Sequence, residues 1–260
     1  MVGRILLYFR FLAGLATRRG WRSYPSPARE FILEAVRGED VPGLDGIEEL
    51  RRSLRRNRKL LPVVDHGAGS RRAAQEGRTV RHLVRTTAVS PAKGRLLARI
   101  ARYFNFPLVV ELGTGTGISS LYMGMACPRS RILTCEGSPA IAGLAGSNIR
   151  EMGVSNIEVT CDVFLDWLPE TLRQVPGELL LFLDGDHRGE RLLQYCSMVF
   201  NAGLSRAVLV LDDIHWSAGM YKAWKEQTVR EEVSLSLELF NTGIILAGFG
   251  FPRVHLIRNF

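Results

Sequence analysis

From residue 91 onward, apolar and polar positions come in blocks. Short, nearly unbroken apolar runs at 107–112 (PLVVEL), 131–136 (RILTCE), 156–160 (NIEVT), 179–184 (LLLFLD) and 206–212 (RAVLVLD) read as strands buried on both faces. The stretches between them, 117–127, 138–152, 164–174 and 188–201, read as helices, and a helix over 92–103 leads into the first strand. Strand and helix alternate through five rounds, which predicts an α/β fold with a parallel sheet covered on both sides. The end of the sequence breaks the rhythm. VSLSLELFN and TGIILAGFG, joined at Asn241-Thr242-Gly243, predict a hairpin that adds an antiparallel edge strand, and a strand-like VHLIRNF follows.

The first 90 residues pattern differently. Ile5, Phe9, Leu12 and Ala16 fall at helical spacing among Arg4, Arg10, Arg18 and Arg19. Arg10 interrupts the apolar run, and no cleavage site of the small-x-small type follows, so an amphipathic helix fits better than a signal peptide. No stretch is apolar for long enough to span a bilayer. Docking of this helix on the main domain is the favoured reading, and peripheral membrane contact by residues 1–20 is the alternative. Pro25 and Pro27 precede a second predicted helix at 28–36, and a third, at 47–60, carries Arg51, Arg52, Arg55, Arg56, Arg58 and Lys59. Such a run fits a solvated helix face better than an RNA-contacting one. The glycine- and arginine-rich segment 63–91 reads as a mobile connection that could cover a site. The expected organisation is a basic helical segment, 1–90, and a catalytic domain, 91–260.

Composition sharpens this division. The chain has 260 residues and a formal charge of +8, but residues 1–105 carry a net +13 and residues 106–260 a net −5. Only Lys59, Lys93, Lys222 and Lys225 among the 34 basic residues are lysine, an arginine bias that by itself points to no nucleic-acid partner. With 46% hydrophobic and 23% charged residues the chain is neither disordered nor collagen-like. Its four scattered cysteines form no metal-binding or disulfide pattern and suit a cytoplasmic location.

The most informative stretch is the strand-turn-helix Val109-Val110-Glu111-Leu112-Gly113-Thr114-Gly115-Thr116-Gly117-Ile118. A dinucleotide fingerprint would need glycine at 118, and a phosphate loop would need a Gly-Lys-Ser/Thr ending; neither is present. The loop that remains is E-x-G-x-G-x-G, in which backbone without Cβ atoms can approach a ligand while Glu111 repels pyrophosphate and attracts positive charge. S-adenosylmethionine, with its sulfonium and ammonium groups, fits such a loop. Glu136, with Gly137 after it, ends the second strand, where a carboxylate can accept bonds from both ribose hydroxyls. Asp162 follows the third strand and could meet an adenine edge, with Val163 and Phe164 against the ring.

These motifs resemble those of class I S-adenosylmethionine-dependent methyltransferases over residues 91–260. ELGTGTG is similar to their first motif and CEGSP to their ribose-binding acid, which implies a Rossmann-like, seven-stranded, mostly parallel sheet and a cofactor held by Glu111, Gly113, Thr114, Gly115, Gly117, Glu136, Gly137, Asp162, Val163 and Asp184. FLDGDHRGE and LDDIHWS further resemble a bacterial group related to catechol O-methyltransferase-type enzymes, which implies O-methylation of a small hydroxylated molecule; an RNA methyltransferase, favoured by the basic front, and a non-catalytic S-adenosylmethionine-binding or membrane-surface protein are the alternatives.

The fourth and fifth strand ends should face the reacting methyl group. They carry Asp184, Asp186 and His187 on one side and Asp212, Asp213, His215 and Trp216 on the other. Carboxylates converging there repel one another unless a cation or protons intervene, and Mg²⁺ is one answer. The resemblance implies Asp184, Asp212 and Asp213 as its ligands; hydrogen bonds to the loop backbone are the competing use of Asp212 and Asp213. Where that family commonly places a lysine base, this sequence has Asp186-His187-Arg188. His187 or Asp184 is then the candidate base, imidazole being suited to proton transfer near neutrality. His215 is expected to be structural.

Overall fold

A computed structural model describes residues 25–62 and 77–257. The chain runs α1 (Ser26–Phe31), a π-helical turn (Ile32–Val36), α2 (Asp45–Leu54), β1 (Leu60–Leu61), β2 (Arg78–Thr79), α3 (Val80–Thr87) and α4 (Pro91–Phe104). There follow β3 (Leu108–Leu112), α5 (Ile118–Ala126), β4 (Arg131–Glu136), α6 (Pro139–Glu151), β5 (Ile157–Cys161), α7 (Phe164–Leu172), β6 (Glu178–Leu183), α8 (Gly189–Phe200) and β7 (Arg206–Leu211). The chain closes with α9 (Ala218–Thr228), β8 (Val233–Leu239), β9 (Thr242–Ala247) and β10 (Val254–Ile257). From β3 to β7 each predicted strand and helix is found within about two residues of its expected ends.

Eight strands form one sheet in the order β10-β8-β9-β7-β6-β3-β4-β5. Strands β3 to β7 are parallel, and β9 runs antiparallel to both β7 and β8. The hairpin therefore does not simply add an edge: its second arm inserts beside β7, and β10 pairs parallel to β8 as an eighth strand outside it. The turn also differs from expectation. Leu239 pairs with Thr242, so the loop is Phe240-Asn241, with Phe240 at φ 45°.

Alternate residues of the central strands enter two separate cores. Val109, Leu180, Phe182, Val208 and Val210 face α4, α5 and the N-terminal helices. Leu108, Val110, Leu112, Leu179, Leu181, Leu183, Leu209 and Leu211 face α7, α8 and α9. Both faces are fully buried, which is why these strands read as continuous apolar runs; each buried leucine contributes about 1.5–3 kcal/mol of transfer free energy.

The front of the chain is built into the first of these cores. Phe31, Ile32, Ala35, Ile47, Leu50 and Leu83 share it with Leu96, Leu97 and Ile100 of α4. Arg99, 7% exposed, donates to the carbonyls of Ala35 and Val36 and pairs with Asp40, closing the open end of the π-turn. The expected helix at 47–60 ends at Leu54, and Arg51 is not part of a solvated face: it is 2% exposed and donates to the Val89 carbonyl at 2.6 Å. Half of the expected loop 63–91 is likewise ordered differently. Thr79 caps α3 by accepting from the His82 amide, and Ser90 caps α4 by accepting from the Lys93 amide with Pro91 in the first helical turn. The expected N-terminal amphipathic helix and the segment 63–76 lie outside the described residues. No helix among the described residues is long and apolar enough to cross a membrane.

Candidate functional site

The glycine loop turns from β3 into α5 with Gly113, Gly115 and Gly117 all at positive φ (102°, 52° and 81°). Gly113 is also a close approach, since a Cβ there would lie 2.6 Å from the Asp184 carbonyl oxygen. Thr114 is buried beneath, its hydroxyl 2.6 Å from that of Thr134. The loop amides Gly113 and Thr114 donate to the Cys135 carbonyl, which ties the turn to the end of β4.

Glu111 sits under this loop, not on its open surface. It is completely buried, accepts from the Thr134 hydroxyl at 2.6 Å and from Ser120, and keeps one oxygen, Oε1, without a partner among the described residues. Burial pushes its carboxyl up to about 7, against the pull of the hydroxyls of Ser119, Ser120 and Thr134. Glu111 is therefore sealed beneath the loop and, contrary to expectation, does not present its carboxylate to a ligand on the open side.

Glu136 stands at the loop's edge. One carboxylate oxygen accepts from the Gly115 amide and the other from the Ser138 amide, each at 3.0 Å, with the half-buried Gly137 between. Asp162 and Val163 lie at the neighbouring end of β5, both exposed, with the Asp162 side chain accepting from the Val163 amide at 2.7 Å. The β3, β4 and β5 ends thus form an open shelf with carboxylates along it, and Phe164 packs its ring against Gly185 and Tyr195 at the back.

Beside the shelf is a cavity of about 510 Å³. Asp184, His187, Asp212 and Asp213 line it from the β6 and β7 ends, Phe240 and Asn241 from the hairpin turn, and residues 86–90 with Lys93 and Leu96 from α3 and α4. Lys93 was not singled out by the sequence as a site residue. Its Nζ lies 2.5 and 2.6 Å from the two carboxylate oxygens of Asp212, which is 5% exposed. Burial alone would lower the Lys93 ammonium, but the Asp212 carboxylate outweighs this and holds it above the ordinary lysine range. Burial also holds Asp184 well above the carboxylate range; Asp212, within hydrogen-bonding reach, and Asp213 add to this, and Lys93 opposes it.

This arrangement does not fit the Mg²⁺ site that the resemblance implied. Both Asp212 oxygens are engaged by an ammonium, Oδ1 also accepts from the Asp213 amide at 2.8 Å, and no group of three acids, histidines or cysteines among the described residues is placed to hold a metal. Asp184, Asp212 and Asp213 do meet at one cleft, as expected, but as part of an ion-paired network. Asp213 takes φ 51°, a turn that lifts the loop after β7.

His187 borders the cavity beside Asp184, with Nδ1 unpartnered among the described residues and its ring 5.7 Å from that of the half-exposed Trp216. Asp186, next to it, is bound by Arg188 and Arg191 and faces Tyr195, which fixes this turn at φ 56°. His215 is structural, as expected: it is 1% exposed, its Nδ1 contacts the Phe240 carbonyl, and Nε2 lies 3.3 Å from Glu238. Glu238 in turn accepts from the Trp224 indole at 3.1 Å. Burial would raise the Glu238 carboxyl, but His215 and Trp224 hold it below the ordinary range.

Residues 110–214 match the family described as Methyltransferase domain. A catechol O-methyltransferase from Mycobacterium tuberculosis is 32% identical over 135 residues, 51% of this chain and 60% of that protein. Another, from Niastella koreensis, is 31% identical over 102 residues, 38% of this chain and 46% of that protein. The chain thus spans about half the length of the curated relatives it matches. Among solved structures, an O-methyltransferase from Bacillus cereus in complex with SAH superposes with a TM-score of 0.56 over 88% of this chain and 99% of that one, at 16% identity. Residues 110–214 thus carry a methyltransferase domain, and around it the chain is similar in sequence to catechol O-methyltransferases and in fold to an O-methyltransferase.

Proposed function

We propose that the protein transfers the methyl group of S-adenosylmethionine to the oxygen of a small hydroxylated acceptor. The observation that carries this reading is that the shelf with Glu136 and the cavity with Asp184, Lys93 and His187 meet at the Gly113–Asp184 contact, so two ligands can lie end to end. Bound S-adenosylmethionine supplies an electrophilic methyl group on a sulfonium. On the shelf, backbone at Gly113, Gly115 and Gly117 would lie against the cofactor, Glu136 would accept from the ribose hydroxyls, and Asp162 and Val163 would border the adenine.

In the cavity the acceptor is held with its hydroxyl toward the shelf, and much of the catalysis is this alignment for in-line attack. His187, whose side chain lines the cavity, takes the hydroxyl proton, with Asp184 on the same wall as the alternative base. The Phe240-Asn241 turn and residues 86–90 close the sides and limit the acceptor to a small molecule. Incubation of the full chain with methyl-labelled S-adenosylmethionine and a panel of phenols and catechols tests this reading. A labelled methyl ether is the expected product; label appearing only in added RNA would contradict it.

A further inference from the structure

Lys93 places a positive charge against Asp212 in this cavity, and it does so by a specific fit. The ammonium reaches Asp212 across 119 residues of sequence and meets both carboxylate oxygens. Ser90 holds the Lys93 amide at the start of α4, so the side chain leaves a fixed helical turn. Thr242 adds a 3.5 Å contact to Asp212 from the hairpin, and the Asp213 amide a 2.8 Å one. Asp212 is therefore satisfied by protein groups alone.

We propose that Lys93 is the resident cation of the acceptor site and that the site works without a divalent metal, an inference that rests on the reading of the cavity as the acceptor pocket. An ammonium has three N–H donors. Two meet Asp212, and the third is left for one acceptor oxygen, where its charge stabilises the oxyanion as the proton leaves. A divalent ion can gather two adjacent oxygens in its coordination shell, whereas a single N–H serves one. The acceptor then needs only one hydroxyl, and an isolated phenol is as good a substrate class as a vicinal diol.

The test uses Mn²⁺ as the probe, followed by electron paramagnetic resonance on the full chain, for wild type and Lys93→Ala. Wild type should bind Mn²⁺ weakly, and Lys93→Ala, which frees Asp212 beside Asp184 and Asp213, should bind at least about tenfold tighter. Equal affinities in the two proteins, or tight stoichiometric binding by wild type, would overturn the proposal. In parallel, wild-type turnover should be unchanged by excess chelator, Lys93→Met should lower kcat, and Lys93→Arg should restore part of it. Activity abolished by chelator and rescued by Mg²⁺ would equally overturn it. Should no acceptor be methylated at all, the functional reading fails while the Mn²⁺ comparison still decides the role of Lys93.

Discussion

Gly113 and Asp184 touch through their backbones: a Cβ on Gly113 would lie 2.6 Å from the Asp184 carbonyl oxygen and 3.0 Å from the Gly185 amide nitrogen. The glycine loop after β3 and the turn after β6 therefore pack backbone to backbone, and the Asp184 amide also donates to the Leu112 carbonyl at 2.9 Å.

Gly113→Ala tests that junction. The new methyl group meets backbone, which moves only as a unit, and the residue must also keep φ near 102°. The expected cost is about 1–3 kcal/mol of stability, with loss of affinity for S-adenosylmethionine. A variant that melts and binds like wild type would show that the two turns move independently.

Glu111 makes stability depend on pH with a definite sign. Its carboxyl is raised from 4.5 to about 7 by burial, so the folded state favours the protonated form. That contribution is complete below the unfolded pKa and is lost as pH rises from about 4.5 to about 7, a span worth on the order of 3 kcal/mol. Glu111→Gln removes the ionisation, so its stability relative to wild type should improve between about pH 5 and about pH 8. Denaturant melts of both proteins that shift in parallel over this range would contradict the assignment.

Arg51 links the front of the chain to the cavity wall. It bonds Glu48, which also accepts from the Tyr122 hydroxyl at 2.8 Å, and donates to Val89, a cavity residue. Arg51→Ala leaves the buried Val89 carbonyl unpaired and should cost about 1–3 kcal/mol, together with a raised KM for the acceptor. Unchanged acceptor KM in a destabilised variant would confine Arg51 to folding.

His187→Ala should lower kcat by about 10²–10⁴-fold while leaving the affinity for S-adenosylmethionine intact, as expected for a base on the acceptor side. Near-normal kcat would move that role to Asp184.

Much of residues 91–260 was legible in the sequence because the central strands are buried on both faces and the glycine loop is local. Glu136, Asp162 and Asp184 could be placed by counting strand ends, since a parallel sheet puts those ends on one edge. Pairings across the chain were not legible. Lys93 meets Asp212 across 119 residues, and Arg51 meets Val89 across 38. One signal for Lys93 was available: it is one of only four lysines in an arginine-rich chain, at the capped start of a helix. The arginine run at 51–58 misled because charge alone does not distinguish Arg51, which is buried, from the exposed Arg52, Arg55 and Arg56. The hairpin was found, but not its two-residue turn, because Phe240 carries a positive φ that the sequence favours at Gly243.

Binding of S-adenosylmethionine through Glu136 on the shelf at the ends of β3, β4 and β5 can be read by titration calorimetry. The full-length protein should bind S-adenosylmethionine and its demethylated product one to one. Glu136→Ala should weaken both by on the order of 1.5–3 kcal/mol through lost charge-assisted hydrogen bonds. No binding by wild type, or unchanged affinity in the variant, would show that Glu136 does not hold the cofactor.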